Sequence, residues 1–114
     1  MERDRQYLLD MLDSARLAIS YVSEKSREDF FRDMQLQDAV VRRLEIIGEA
    51  ARRISQTTRD TFPGLPWASM TGMRNFLIHE YGDIDLGIVW DTVQTNLGDI
   101  VSMLEQELPQ WNPG

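Results

Sequence analysis

The stretch from Gln37 to Ser55, "QDAVVRRLEIIGEAARRIS", decides the fold. Val40, Leu44, Ile47, Ala51 and Ile54, with Leu36 just ahead of them, recur at spacings of three and four. That period puts them all on one face of a helix, flanked by arginines. Upstream, Leu8, Met11, Leu12, Ala15, Ala18, Ile19 and Val22 make a second stripe of the same kind. Downstream, Leu86, Val89, Val93, Leu97, Ile100, Leu104 and Leu108 make a third, which Pro109 should end.

Between the stripes lie the punctuation marks. Ser26 before "REDFF" reads as the cap of a short helix with acidic residues in its first turn, giving way near Asp33 to the long helix. "TFPGLP" breaks the chain with two prolines and a glycine. Pro66 suits the first turn of a helix expected to run through "WASMTGMRNFLIH". On it Ala68 and Gly72 lie four apart, so a neighbouring helix should approach that face closely. Gly82 is the expected stop, and Asp85 the cap of the last helix. No strand pattern or repeat appears. The expectation is an all-α, up-and-down bundle of four main helices plus one short one, forming a single domain over residues 1–114.

Composition narrows the function. With 42% hydrophobic and 27% charged residues the chain is an ordinary globule, not a disordered tail. Its net charge of −7 disfavours non-specific binding of nucleic acid over the whole surface, though not a local basic cleft. Lys25 is the only lysine among 12 basic residues. Such a bias to arginine suits an interface rich in ion pairs or a set of phosphate contacts. The absence of cysteine removes disulfides, thiolate nucleophiles and thiolate metal sites. One histidine and no H-E-x-x-H leave no basis for a zinc site within one chain, and no cofactor is expected. The charged start "MERDRQYLLD" lacks the apolar core of a signal peptide, and no apolar run approaches membrane-spanning length. The expected location is the cytoplasm.

The chemistry concentrates in "GMRNFLIHEYG", from Gly72 to Gly82. Arg74, Asn75, His79, Glu80 and Tyr81 crowd around the apolar "FLI". On an ideal helix Arg74 and Tyr81 share one face, and Asn75 and His79 another, where the amide can orient the imidazole. Arg74 and His79 stand about 140° apart on that geometry, so they meet only through the length of arginine and a loosened helix end. A lone histidine here also suits a helix C-terminus, where an imidazolium is favoured. Yet the set fits cleavage of RNA without a metal. Histidine serves as base or acid near neutral pH, and arginine holds the charge of the phosphorane. One histidine cannot be both base and acid at once. A two-fold dimer that brings two copies of the segment together supplies two of each group in a composite cleft.

"RNFLIHEY" fits R-x4-H-x-Y, and the chain resembles the HEPN superfamily, more closely its HepT toxins. The resemblance extends through "QDAVVRRLEIIGEAARRIS", "PGLPWASMTGMRNFLIHEYGDID" and "VWDTV". It implies a homodimeric endoribonuclease toxin of a type VII toxin–antitoxin system, with RNA as substrate and no DNA or membrane partner. It implies Arg74 and His79 as the ribonuclease pair and Asn75 as the polar residue following the arginine. Tyr81 would be the tyrosine to which a minimal nucleotidyltransferase antitoxin (MntA-like) transfers AMP from ATP. Glu49 matches the family's "GEA" and would support the cleft by pairing with an arginine, unless it is simply a solvated or helix-pairing carboxylate. The rival readings are a non-catalytic HEPN module that binds a nucleotide or the partner, and a plain helical dimerisation domain.

Other residues carry weaker signals. The doublets Arg42–Arg43 and Arg52–Arg53 either line an RNA path or face solvent and bond to acidic neighbours. Trp67 and Trp90 read as core or interface anchors, and Trp111 as an exposed docking residue. Asp83 and Asp85 alone do not make a metal site.

Overall fold

The computed structural model of the chain describes residues 2–73 and 84–112. Its frame is a pair of long helices, α1 (Glu2–Val22) and α3 (Met34–Arg53), packed together more extensively than any other two elements described. They are antiparallel, because the start of α1 meets the segment just past α3. There the Asp4 carboxylate accepts from the Ser55 and Thr58 hydroxyls, both at 2.7 Å. The chain turns after α1 with Lys25 N–H donating to the Val22 carbonyl at 2.9 Å, while Glu24 takes a left-handed φ of 65°.

The short helix expected after Ser26 is α2 (Arg27–Arg32), and its cap is a reciprocal box. Ser26 Oγ accepts from Asp29 N–H and Asp29 Oδ2 accepts from Ser26 N–H, each at 3.0 Å. The Ser26 backbone N–H, followed by its hydroxyl, holds the Asp29 carboxyl below its ordinary range. Asp33 then caps α3 by accepting from Leu36 N–H at 3.0 Å.

The stripes read from the sequence are the core. Leu8, Met11, Ala15 and Ala18 of α1 meet Val40, Leu44, Ile47 and Ala51 of α3, all fully buried. Ile19, Leu36 and Leu86, at the stripe margins, are partly buried. Phe30 and Phe62 add the largest buried rings. Both tryptophans expected as anchors pack on this cluster. Trp67 Nε1 donates to the Phe62 carbonyl at 2.9 Å, and Trp90 lies 5.6 Å from Phe30 between ring centres.

Four features depart from the sequence expectation. An extra short helix, α4 (Gln56–Thr61), follows α3, capped by Ser55 and held by the Asp4 contact. Next, α5 (Trp67–Thr71) ends at Thr71, with Gly72 in a turn whose N–H bonds the Ala68 carbonyl at 3.0 Å; Met73 is helical again, and the rest of the expected helix lies outside the described residues. Poor helix propensity at glycine makes that break inexpensive. The expected stop at Gly82 lies outside the described residues. Third, the last helix has three parts: α6 (Leu86–Asp91), a π-helical turn (Thr92–Asn96) and α7 (Leu97–Glu107). Asp85 caps α6 as expected, accepting from Ile88 N–H at 3.1 Å, and a 3-10 turn containing Pro109 ends the run. Finally, Trp111 is not an exposed docking residue. It is partly buried, its ring 5.4 Å from that of Phe62. Arg5 stacks 5.2 Å above it and donates from Nη2 to its carbonyl at 2.6 Å.

Among the described residues, no helix is long and apolar enough to cross a membrane.

Candidate functional site

Arg74, Asn75, His79 and Tyr81 lie outside the described residues, and the structure gives the elements that flank them in the chain. The elements on either side of residues 74–83, α5 and α6, both pack on α3. The supports described therefore lie on α3, from the buried Gly48 at the margin of its core stripe out to the exposed Glu49 and Arg52.

Gly48 is the closest of them. A Cβ placed there would stand 3.2 Å from the Met70 carbonyl oxygen and 3.8 Å from Met73 Cβ. Helix α3 thus meets the end of α5 nearly backbone to backbone, and Met70 and Met73 are buried in the contact. Among the described residues no neighbouring helix approaches closely at Ala68 and Gly72: Ala68 is exposed, and a Cβ on Gly72 would meet the Ala68 carbonyl of its own helix, at 3.1 Å. The missed signal was Gly48 itself, since a glycine inside a strong helix weakens it by about 1 kcal/mol and implies a close neighbour.

One turn further along, Arg52 Nε donates to the Thr71 carbonyl at 3.1 Å. Sequence reasoning missed this contact too, having treated Arg52 only as half of a doublet. Glu49, the expected supporting residue, lies 3.5 Å from Arg53 Nη2 and 4.0 Å from Arg52 Nη1. Its arginine partners among the described residues are therefore on its own helix, as a helix-pairing glutamate requires. All three side chains are well exposed, so each pair contributes at most about 1 kcal/mol. Arg42, Glu45, Gly48, Glu49 and Arg52 line a shallow groove of about 280 Å³ along this face. Among its described lining residues, two arginines stand against two glutamates. Arg42 also lines the adjoining groove with Tyr7, Asp10 and Arg53, and makes no ion pair among the described residues.

On the far flank, Ile84 is exposed and Asp85 starts α6. Arg27 reaches across from α2 to Asp91 at 3.5 Å and covers the Phe31 ring at 4.9 Å. Among the described residues, no three His, Cys, Asp or Glu side chains converge as metal ligands would.

Residues 11–107 match the family described as ribonuclease HepT-like, a span that includes α3, the groove and all of "RNFLIHEY". The chain belongs to that family. By class it is a HepT-like ribonuclease with an all-α HEPN fold. Over 91 residues it is 40% identical to "Gamma-glutamylcyclotransferase and putative RNase MJ0434" of Methanocaldococcus jannaschii, covering 80% of this chain and 41% of that protein. It is 35% identical over 108 residues to "Putative RNase TTE0752" of Caldanaerobacter subterraneus subsp. tengcongensis, covering 95% of this chain and 96% of the relative. "Probable ribonuclease HepT" of Thermococcus cleftensis is 35% identical over 102 residues, 90% of this chain and 93% of its own. The chain thus spans less than half of the first relative and nearly all of the other two. No solved structure matches it at comparable significance.

Proposed function

We propose that this HepT-like chain is the toxin of a type VII toxin–antitoxin system. It acts as a homodimeric, metal-independent endoribonuclease of the cytoplasm, silenced when a minimal nucleotidyltransferase places AMP on Tyr81. The observation that carries the reading is that the family match contains the whole signature with no departure in it.

The residues suit the reaction. His79 of one protomer removes the proton from a ribose 2′-hydroxyl, and the 2′-oxygen attacks the adjacent phosphorus. As the 5′-oxygen leaves, His79 of the other protomer protonates it, so the products are a 2′,3′-cyclic phosphate and a free 5′-hydroxyl. Arg74 neutralises the charge that builds on the non-bridging oxygens, with two parallel hydrogen bonds. Asn75 orients the imidazole. Silencing uses ATP: the Tyr81 oxygen attacks the α-phosphorus, pyrophosphate departs, and the phenol proton goes to solvent. The AMP adds bulk and negative charge, which repels the RNA backbone.

One observation favours a second reading, a non-catalytic module that binds a nucleotide or the partner: the net charge of −7. Incubating the purified protein with RNA, with and without EDTA, separates the two. Cleavage that persists in EDTA supports the toxin. Cleavage that stops in EDTA and returns with Mg²⁺ rejects the metal-free mechanism, and none under either condition favours the module. Adding the cognate nucleotidyltransferase with ATP should then place AMP on Tyr81, seen by mass spectrometry, with cleavage falling in step. AMP found on Tyr7 or Tyr21 alone rejects the proposed silencing.

A further inference from the structure

We propose that Gly48, Glu49 and Arg52 form a brace on α3 that sets where the chain enters the signature, which makes Arg52 a positioning residue for RNA cleavage. The inference rests on the reading of Arg74 and His79 as the cleaving pair. Three contacts support it, and two of them fall on the last residues before Arg74. Gly48 allows α3 to touch Met70 and Met73, where any side chain would stand 3.2 Å from a backbone oxygen. Arg52 donates to the Thr71 carbonyl at 3.1 Å. That carbonyl closes α5 and is among those a helix end leaves without an intrahelical donor. Glu49 lies 4.0 Å from Arg52 Nη1, an ion-pair distance at which its carboxylate attracts the guanidinium without a hydrogen bond.

A planar guanidinium that donates from Nε to a helix-end carbonyl, with a carboxylate near Nη1, is better oriented than a lysine ammonium on a flexible stem. It fixes the Thr71 carbonyl, three residues ahead of Arg74. Positioning matters out of proportion to the strength of the contact, because a displacement of about 1 Å in a reacting group can cost 10²-fold in rate. The brace also gives Glu49 a role consistent with its place: it holds Arg52 and takes no proton from the substrate.

The test compares Arg52→Ala, Arg52→Lys and Glu49→Gln with the unaltered protein. Steady-state RNA cleavage is read together with amide hydrogen exchange at Gly72 and Met73. Arg52→Ala should lower kcat by about tenfold or more with KM changed less than about twofold. Exchange at Gly72 and Met73 should quicken while α1 is unchanged. Arg52→Lys should recover part of the loss, Glu49→Gln should show a smaller loss of the same kind, and the double variant should be no worse than Arg52→Ala alone. A rise in KM with a shallower salt dependence would make Arg52 a phosphate contact and overturn the brace. A lower Tm with kcat and exchange unchanged overturns it equally. If the unaltered protein cleaves no RNA, the functional reading fails first, and unchanged exchange in Arg52→Ala removes the brace as well.

Discussion

The two faces of α3 are built on different principles. Its inner face, Val40, Leu44, Ile47 and Ala51, is fully buried against α1, and one end of that helix pair is closed by hydrogen bonds to the buried Asp4 carboxylate. Its outer face carries exposed ion pairs, and between the two faces the buried Gly48 lets it lean on α5, a helix of five residues. One face stores stability and the other holds the approach to the signature in place. The difference teaches that substitutions on α3 should divide into those that unfold the protein and those that only misplace its chemistry.

The largest effect should come from outside both faces. His79→Ala and Arg74→Ala should each reduce RNA cleavage by about 10²–10⁴-fold while leaving Tm nearly unchanged. Circular dichroism beside a cleavage assay checks this, and a loss of fold in step with activity would blur the division. On the inner face, Leu44→Ala should cost about 2–5 kcal/mol and lower Tm on the order of 10 °C. Below its new Tm that variant should still cleave, which thermal melts paired with assays at low temperature will show.

The third effect is a pH dependence. Burial would raise the Asp4 carboxyl, but hydrogen bonds from Ser55 and Thr58 outweigh it and hold the group below its ordinary value of 3.8. A carboxyl lowered in the folded state stabilises fully above its unfolded value, and that stability is lost as pH falls through the folded value. Wild type should therefore lose stability on acidification below about pH 4 more steeply than Asp4→Asn, whose melts should be flatter there. Near neutral pH the variant should already be weaker by about 1–3 kcal/mol, the range for a lost hydrogen bond to a charged group. The smallest effect is assigned to the exposed Arg16–Glu105 pair between α1 and α7, 2.6 Å apart. Arg16→Ala should cost no more than about 1 kcal/mol, and less in high salt.

Much of the fold was legible because its signals are local. Three apolar stripes and the caps at Ser26, Asp33 and Asp85 each sit within a few residues of what they determine. The features that were not legible depend on distant partners. Polar α4 buries only Thr58 and owes its place to Asp4, 54 residues away. Trp111 is pinned by Arg5, 106 residues away, and no nearby residue announces it. At the site, residue types pointed to Arg74 and His79 and the family resemblance implied Tyr81, and all three lie outside the described residues. The bond from Arg52 to Thr71 needs two helices already docked, so no periodicity reveals it.

The π-helical turn at Thr92–Asn96 has a consequence for how this gene can change length. Buried Val89, Val93 and Leu97 follow one another at intervals of four, and on a plain α-helix each such step drifts about 40° off the seam. The wider turn absorbs that drift, with one residue more than an α-helix needs to join the same two buried positions. Deleting the exposed Gln94 would place Val89 and Leu97 seven apart, the spacing of an uninterrupted heptad. A continuous helix would then present the same residues to the core, and the Arg5–Trp111 clasp would stay in register. The last helix is thus a place where the reading frame of the packing, unlike that of the codons, survives the loss of a single residue.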